Sequence, residues 1–166
     1  MREILQLLRL LREKGIPFVA VGMSAARLQG APVVTQDFDL LVPSIDPETM
    51  DWLAWKSGAV LSGGREPPCA FNFVDALPVD LVRRLSTGIS LERALAVSRR
   101  VKLGRLSIPV LPLEEIIASK KRAGRPKDLA ALPVLRQTLR ARHKALAPHR
   151  KRRASRPRRK ARGRKK

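Results

Sequence analysis

Apolar residues recur near the start of the chain at helical spacing. Ile4, Leu5, Leu7, Leu8, Leu10 and Leu11 stripe the segment Glu3–Lys14, and Gly15 follows as a stop. The pattern then changes. Residues 17–22 form a short apolar run after a turn, which predicts a first buried strand. Ser24–Gln29 fits one or two helical turns ended by Gly30. Residues 35–42 alternate, with Phe38 and Leu40 on one face and Asp37 and Asp39 on the other. That predicts a second strand, closed by Pro43, with its apolar side on the core.

The same reading carries through the chain. Residues 46–56 predict a helix, with Asp46 as N-cap, Pro47 at the first position, and Met50, Leu53 and Ala54 inward. Trp52 and Trp55 lie near that face and read as packing rather than as a base-stacking platform. Residues 57–68 are rich in Gly and Pro and read as a loop, in which Arg65 and Glu66 face solvent or substrate. Residues 70–74 and 79–82 are candidate strands. Ser90 caps a helix over 90–98, and residues 101–110 form a strand or hairpin broken by Gly104. A further helix spans 112–123, with Leu113, Ile116 and Ile117 as its stripe and Glu114 and Glu115 in its first turn. The last helix runs roughly over 127–146 through Leu129, Leu132, Leu135 and Leu139.

The candidate chemistry lies between Val21 and Val42. Two carboxylates on one strand face stand roughly 6–7 Å apart and repel unless a cation lies between them. Mg²⁺ or Mn²⁺ suits oxygen ligands and commonly keeps waters or phosphates as its other ligands. Alone, such a pair is more often a solvated edge than a metal site. Gly22 changes the balance, because a glycine at a strand-to-helix junction admits an anion close to the backbone. Asp80, between Val79 and Leu81 on a neighbouring predicted strand, is a third carboxylate. Asp75 is the lesser candidate, and Arg83 and Arg84 face either a phosphate group or water.

Gly22, Ala25, Gly30, Thr35, Asp37 and Asp39 stand at the spacing of a known signature. The segment resembles the nucleotidyltransferase superfamily, and among its members the minimal nucleotidyltransferases and the abortive-infection toxins. The departure is Met23, where the family carries a second glycine. A second match runs from Leu113 through Lys120, Ala123, Arg125 and Lys127 to Asp128 and Leu129. The resemblance implies an α/β (α+β) fold of the polymerase-β-like kind. A small mixed sheet would carry helices packed on one face and the site on the other. It implies Asp37, Asp39 and Asp80 as catalytic and metal-holding residues, with Mg²⁺ or Mn²⁺. It implies Gly22, Ser24, Thr35 and Lys120 at the nucleotide, with Arg125 and Asp128 as a structural pair. The implied reaction moves an NMP from an NTP to a hydroxyl of an RNA end or a protein, in a setting related to toxin–antitoxin systems. Met23 motivates an alternative, a binding module of the same fold without turnover, antitoxin-like or associated with nucleic acid.

Composition adds partners and bounds. Hydrophobic residues make up 44% and aromatics 4%, which predicts an aliphatic core in one domain over 1–146. The formal net charge is +21, but 15 of the 35 Lys and Arg, and none of the 14 acids, lie from Arg140 onward. The remainder carries about +6. Residues 147–166 therefore predict a disordered basic tail that binds polyanions by counterion release, RNA favoured. A purely solubilising tail is the plainer reading, and a nucleic-acid binder working through the tail alone is a third. A protein partner also fits. Cys69 is the single cysteine, so an internal disulfide is excluded and a reducing compartment, by default the cytoplasm, is expected. No apolar run reaches the ~18–20 residues of a membrane span. Met1–Leu11 is too short and too charged for a signal peptide.

Overall fold

The structure, a computed structural model, describes residues 1–154, with side chains through Ala145. Helix α1 (Arg2–Glu13) buries Ile4, Leu7, Leu8, Leu10 and Leu11. It leads to β1 (Val19–Ala20), then to α2 (Gly22–Leu28) and β2 (Phe38–Leu41). Helix α3 (Pro47–Ser57) starts as its sequence predicts, with the Thr49 N–H donating to Asp46 Oδ1 at 2.8 Å. Strands β3 (Val60–Ser62), β4 (Cys69–Asn72) and β5 (Val79–Val82) follow. Helix α4 (Leu91–Val97) is capped by Ser90, whose Oγ accepts from the Arg93 N–H at 3.1 Å. Hairpin β6 (Arg99–Leu103) and β7 (Leu106–Val110) precedes α5 (Leu113–Ala123) and α6 (Pro126–Ala154).

The seven strands form one mixed sheet in the order β3-β4-β5-β2-β1-β7-β6. Strand β2 is central. It runs antiparallel to β1 and parallel to β5, in a register that sets Asp39 opposite Asp80 and Leu40 opposite Leu81. Phe38, Leu40, Val79, Leu81 and Phe71 are buried and share one aliphatic core with the inward stripes of α1 and α3. Burying each Leu of such a stripe contributes about 1.5–3 kcal/mol.

Some expectations change in three dimensions. The glycine- and proline-rich stretch over 57–68 holds β3, because Val60–Ser62 pairs with Ala70–Asn72 at the sheet edge. Trp55 is 73% exposed rather than packed, since at its position α3 turns towards solvent. Lys56 Nζ lies 4.4 Å from its ring centroid. The helices are not confined to one face: α5 and α6 pack together and wall the acidic side of the sheet. Helix α6 runs to Ala154, beyond the expected end at 146. Residues 155–166, most of the expected tail, lie outside the described residues.

Candidate active site

Where β1 ends, the chain turns at Val21 and Gly22 into α2. Gly22 has a φ of +65°, a conformation that costs other residues free energy. A Cβ at this position would fall 2.0 Å from Asp39 Oδ2. Glycine is thus required twice, once by the turn and once by the carboxylate against it. The Val21 N–H donates to the Asp39 carbonyl at 3.0 Å, which locks the turn to β2.

Asp37 stands at the entrance to β2, Asp39 within it, and Asp80 on β5 beside it. Carboxylate oxygens of the three, one from each, all lie within 4.8 Å of one another. Thr35 Oγ1 donates to Asp37 Oδ1 at 2.8 Å and fixes that side chain. Burial first, then the charges of Asp37 and Asp80, push Asp39 up to about 7. Lys120 and Lys127 pull the other way without cancelling this. Burial and Asp37 also raise Asp80. Three hard oxygen donors this close, with too little positive charge among them, fit a divalent cation such as Mg²⁺ or Mn²⁺.

The triad opens into a cavity of about 1000 Å³. Gly22, Thr35, Asp37, Asp39, Asp80 and Lys120 all line it, so the structure brings together these sequence-derived candidates. It leaves Ser24 out. That residue is buried, donates from Oγ to the Val21 carbonyl at 3.1 Å, and accepts from the Asp39 N–H at 3.3 Å. Its hydroxyl is occupied in tying α2 to β2, behind the site rather than in it. Met23 reaches the cavity instead.

The opposite wall comes from α5 and α6. Asp128 is fully buried and accepts from Lys120 Nζ at 2.8 Å and from Arg125 Nε at 2.5 Å. Burial pushes its pKa up, but the hydrogen bonds from Arg125 and Lys120 outweigh that and hold it below the usual carboxylate range. Arg84 and Lys127 also line the wall. Arg83 does not, and Arg65 instead pairs with Asp51 on the surface. Sequence reasoning did not single out Lys127 as a wall residue or the Ser86–Ser119 pair, whose Oγ atoms lie 2.8 Å apart. The one signal for Lys127 is its place beside Asp128 in the second matched segment. Ser86 and Ser119 are 33 residues apart and carry none.

No protein-family model matches the chain, and no curated protein matches it in sequence. Solved structures do match. The chain superposes on the solution structure of the antibiotic-resistance factor ANT(2'')-Ia with a TM-score of 0.60 at 15% identity, covering 90% of this chain and 95% of that one. It superposes on the crystal structure of a Thermotoga maritima protein assigned as a nucleotidyltransferase with a TM-score of 0.51 at 21% identity. That match covers 80% of this chain and 89% of the other. At these identities the likeness is one of fold.

Proposed function

We propose, on the premise that the chain has the nucleotidyltransferase fold, that it is a metal-dependent enzyme moving an NMP from an NTP to a hydroxyl acceptor. The observation that carries this reading is the triad. Asp37, Asp39 and Asp80 converge within 4.8 Å in a cavity whose glycine turn leaves room for the Asp39 carboxylate. A bound Mg²⁺ or Mn²⁺ would supply Lewis-acid charge to the triphosphate oxygens. Asp37 and Asp39 would hold it, and Asp80 would complete the set. Thr35 keeps Asp37 aimed.

Asp80 takes the proton of the acceptor hydroxyl on its carboxylate. The acceptor oxygen then bonds to the α-phosphorus, and the bond from that phosphorus to the bridging oxygen breaks. Pyrophosphate leaves with the electron pair. Arg84, Lys120 and Lys127 offset the charge of the triphosphate from the facing walls. Gly22, on the cavity wall, serves the site by leaving the place of a side chain to the Asp39 carboxylate. The acceptor is an RNA end in preference to a protein side chain, because the cationic C-terminal segment favours a polyanion. A role in a toxin–antitoxin pair follows the sequence resemblance alone.

Met23 at the cavity, where the family carries glycine, supports a second reading as a nucleotide-binding module without turnover. One experiment separates the two. Each α-labelled NTP is offered with Mg²⁺ to total RNA and to the protein itself, with Asp37→Ala/Asp39→Ala as control. Label that disappears in the double variant supports transfer and names the nucleotide and acceptor class. Nucleotide binding with neither label transfer nor pyrophosphate release supports the binding module.

A further inference from the structure

A second surface lies at the other end of β7. Arg12 on α1 and Arg100 on β6 both donate to the carbonyl oxygen of Ser107, and Arg100 Nε also donates to Ser107 Oγ at 3.2 Å. Lys102 pairs with Ser107 in the β6–β7 register. Arg100 and Lys102 therefore share a face of β6, roughly 6–7 Å apart. Arg105 sits in the turn that follows. Gly104 in that turn would set a Cβ 3.3 Å from Leu5 Cδ1, so the hairpin tip abuts α1. Arg9 stands one helical turn beyond Leu5 on the same side of α1.

All five cations are exposed, and among the described residues none has an acidic partner within ion-pair distance. Two guanidiniums drawn to one carbonyl, with three further cations beside them, make a strongly positive patch that an anion would relieve. Neither α1 nor the hairpin exposes a large apolar side chain. A membrane surface would call for such anchors beside the charges, so a polyanion in water fits better. The patch has no exposed aromatic either, which suits phosphate contacts rather than base stacking.

Its position decides the kind of ligand. Leu111, just past β7, lines the catalytic cavity, and Ser107 lies four residues earlier on the same strand. At about 3.3 Å per residue that is roughly 13 Å. A small acceptor cannot span both, but a polynucleotide can. We infer that Arg9, Arg12, Arg100, Lys102 and Arg105 form a phosphate-backbone surface for RNA, holding the body of a polymeric acceptor whose end enters the cavity. The choice of RNA rests on the transfer reading above, whereas the test below does not.

The test is RNA binding by the full chain without nucleotide or metal, across a salt series, so its outcome is independent of turnover. A single-stranded RNA of about 30 nucleotides, a DNA of the same sequence and anionic lipid vesicles are compared. Lys102→Gln/Arg105→Gln removes two cations that make no side-chain hydrogen bond among the described residues, and Arg100→Gln is made separately. Thermal melting confirms that each variant is folded. In the double variant, RNA affinity should fall several-fold at about 0.1 M salt, and the slope of log affinity against log salt should shrink by roughly 2. An unchanged slope and affinity overturn the proposal. So does a loss confined to vesicles or to DNA.

Discussion

At the scale of single residues, Gly22 and Asp39 are one device. A methyl group at Gly22 would displace the Asp39 carboxylate and would also occupy a left-handed conformation costing about 1–2 kcal/mol. Gly22→Ala is therefore expected to lower the melting temperature by several degrees and to abolish nucleotide transfer, measured with the labelled-NTP assay. Retained transfer would mean that Asp39 does not need its observed position.

Asp39 also sets a pH dependence. Its folded-state pKa, about 7, lies above the value near 4 of an unfolded carboxyl, so the native state binds more protons. The stability it contributes is present below about pH 4 and is lost as pH rises through 7. Melting in chelator should show this loss, and Asp39→Asn should remove it. A divalent cation competes with the same proton, so its affinity should rise with pH up to about 7 and then level off. Calorimetric titration at several pH values checks the second expectation. A flat profile would exclude Asp39 as a ligand.

At the scale of elements, the junction of α5 and α6 rests on a buried carboxylate. Asp128 has no exposed surface, Lys120 is mostly buried, and Arg125 is largely exposed. Removing one partner of a buried pair commonly costs about 3–5 kcal/mol, less when one partner is solvated. Asp128→Asn should therefore cost about 2 kcal/mol in chemical denaturation. It should also raise KM for the NTP more than it lowers kcat, because Lys120 loses the contact that holds it at the cavity wall. A loss of stability with KM unchanged would assign Asp128 to helix packing alone.

Much of the element order was legible because it rests on local chemistry. The stripe of α1, the caps Asp46 and Ser90, and the alternation around Phe38 and Leu40 each read over a few residues. Strand β3 was not legible, since Val60–Ser62 is a strand only because β4 lies beside it. Asp128 was legible as a pair with Arg125, but its burial and its bond to Lys120 come from the packing of two helices. Ser24 was misplaced for a related reason. Sequence shows that a hydroxyl is near the turn, not which side of the turn it faces.

At the scale of the whole molecule, charge is uneven along the chain, with 15 of the 35 Lys and Arg and none of the acids from Arg140 onward. Truncation after Ala154 removes eight Lys and Arg. It should leave melting of the folded part unchanged within about 0.5 kcal/mol, as for surface changes generally. RNA affinity should fall and its salt dependence should flatten, read from binding isotherms at two salt concentrations. If the truncated chain melts much earlier, the end of the chain packs on the body.

The sequence by itself determined most of the α/β order of elements, the separation of charge along the chain, and the acids Asp37, Asp39 and Asp80 as one candidate set. The first follows from periodicity and capping, which act over short stretches, the second from composition, and the acid set from the resemblance of the residues around it to a known signature. Only the tertiary structure decided that Asp39 lies opposite Asp80, that Ser24 turns away while Met23 reaches the cavity, and that Lys120 is bound to Asp128. It also decided that Arg12 meets Arg100 at Ser107. Each of these joins residues far apart in the chain through strand register or helix packing, and no local pattern encodes which side chains such a meeting brings face to face.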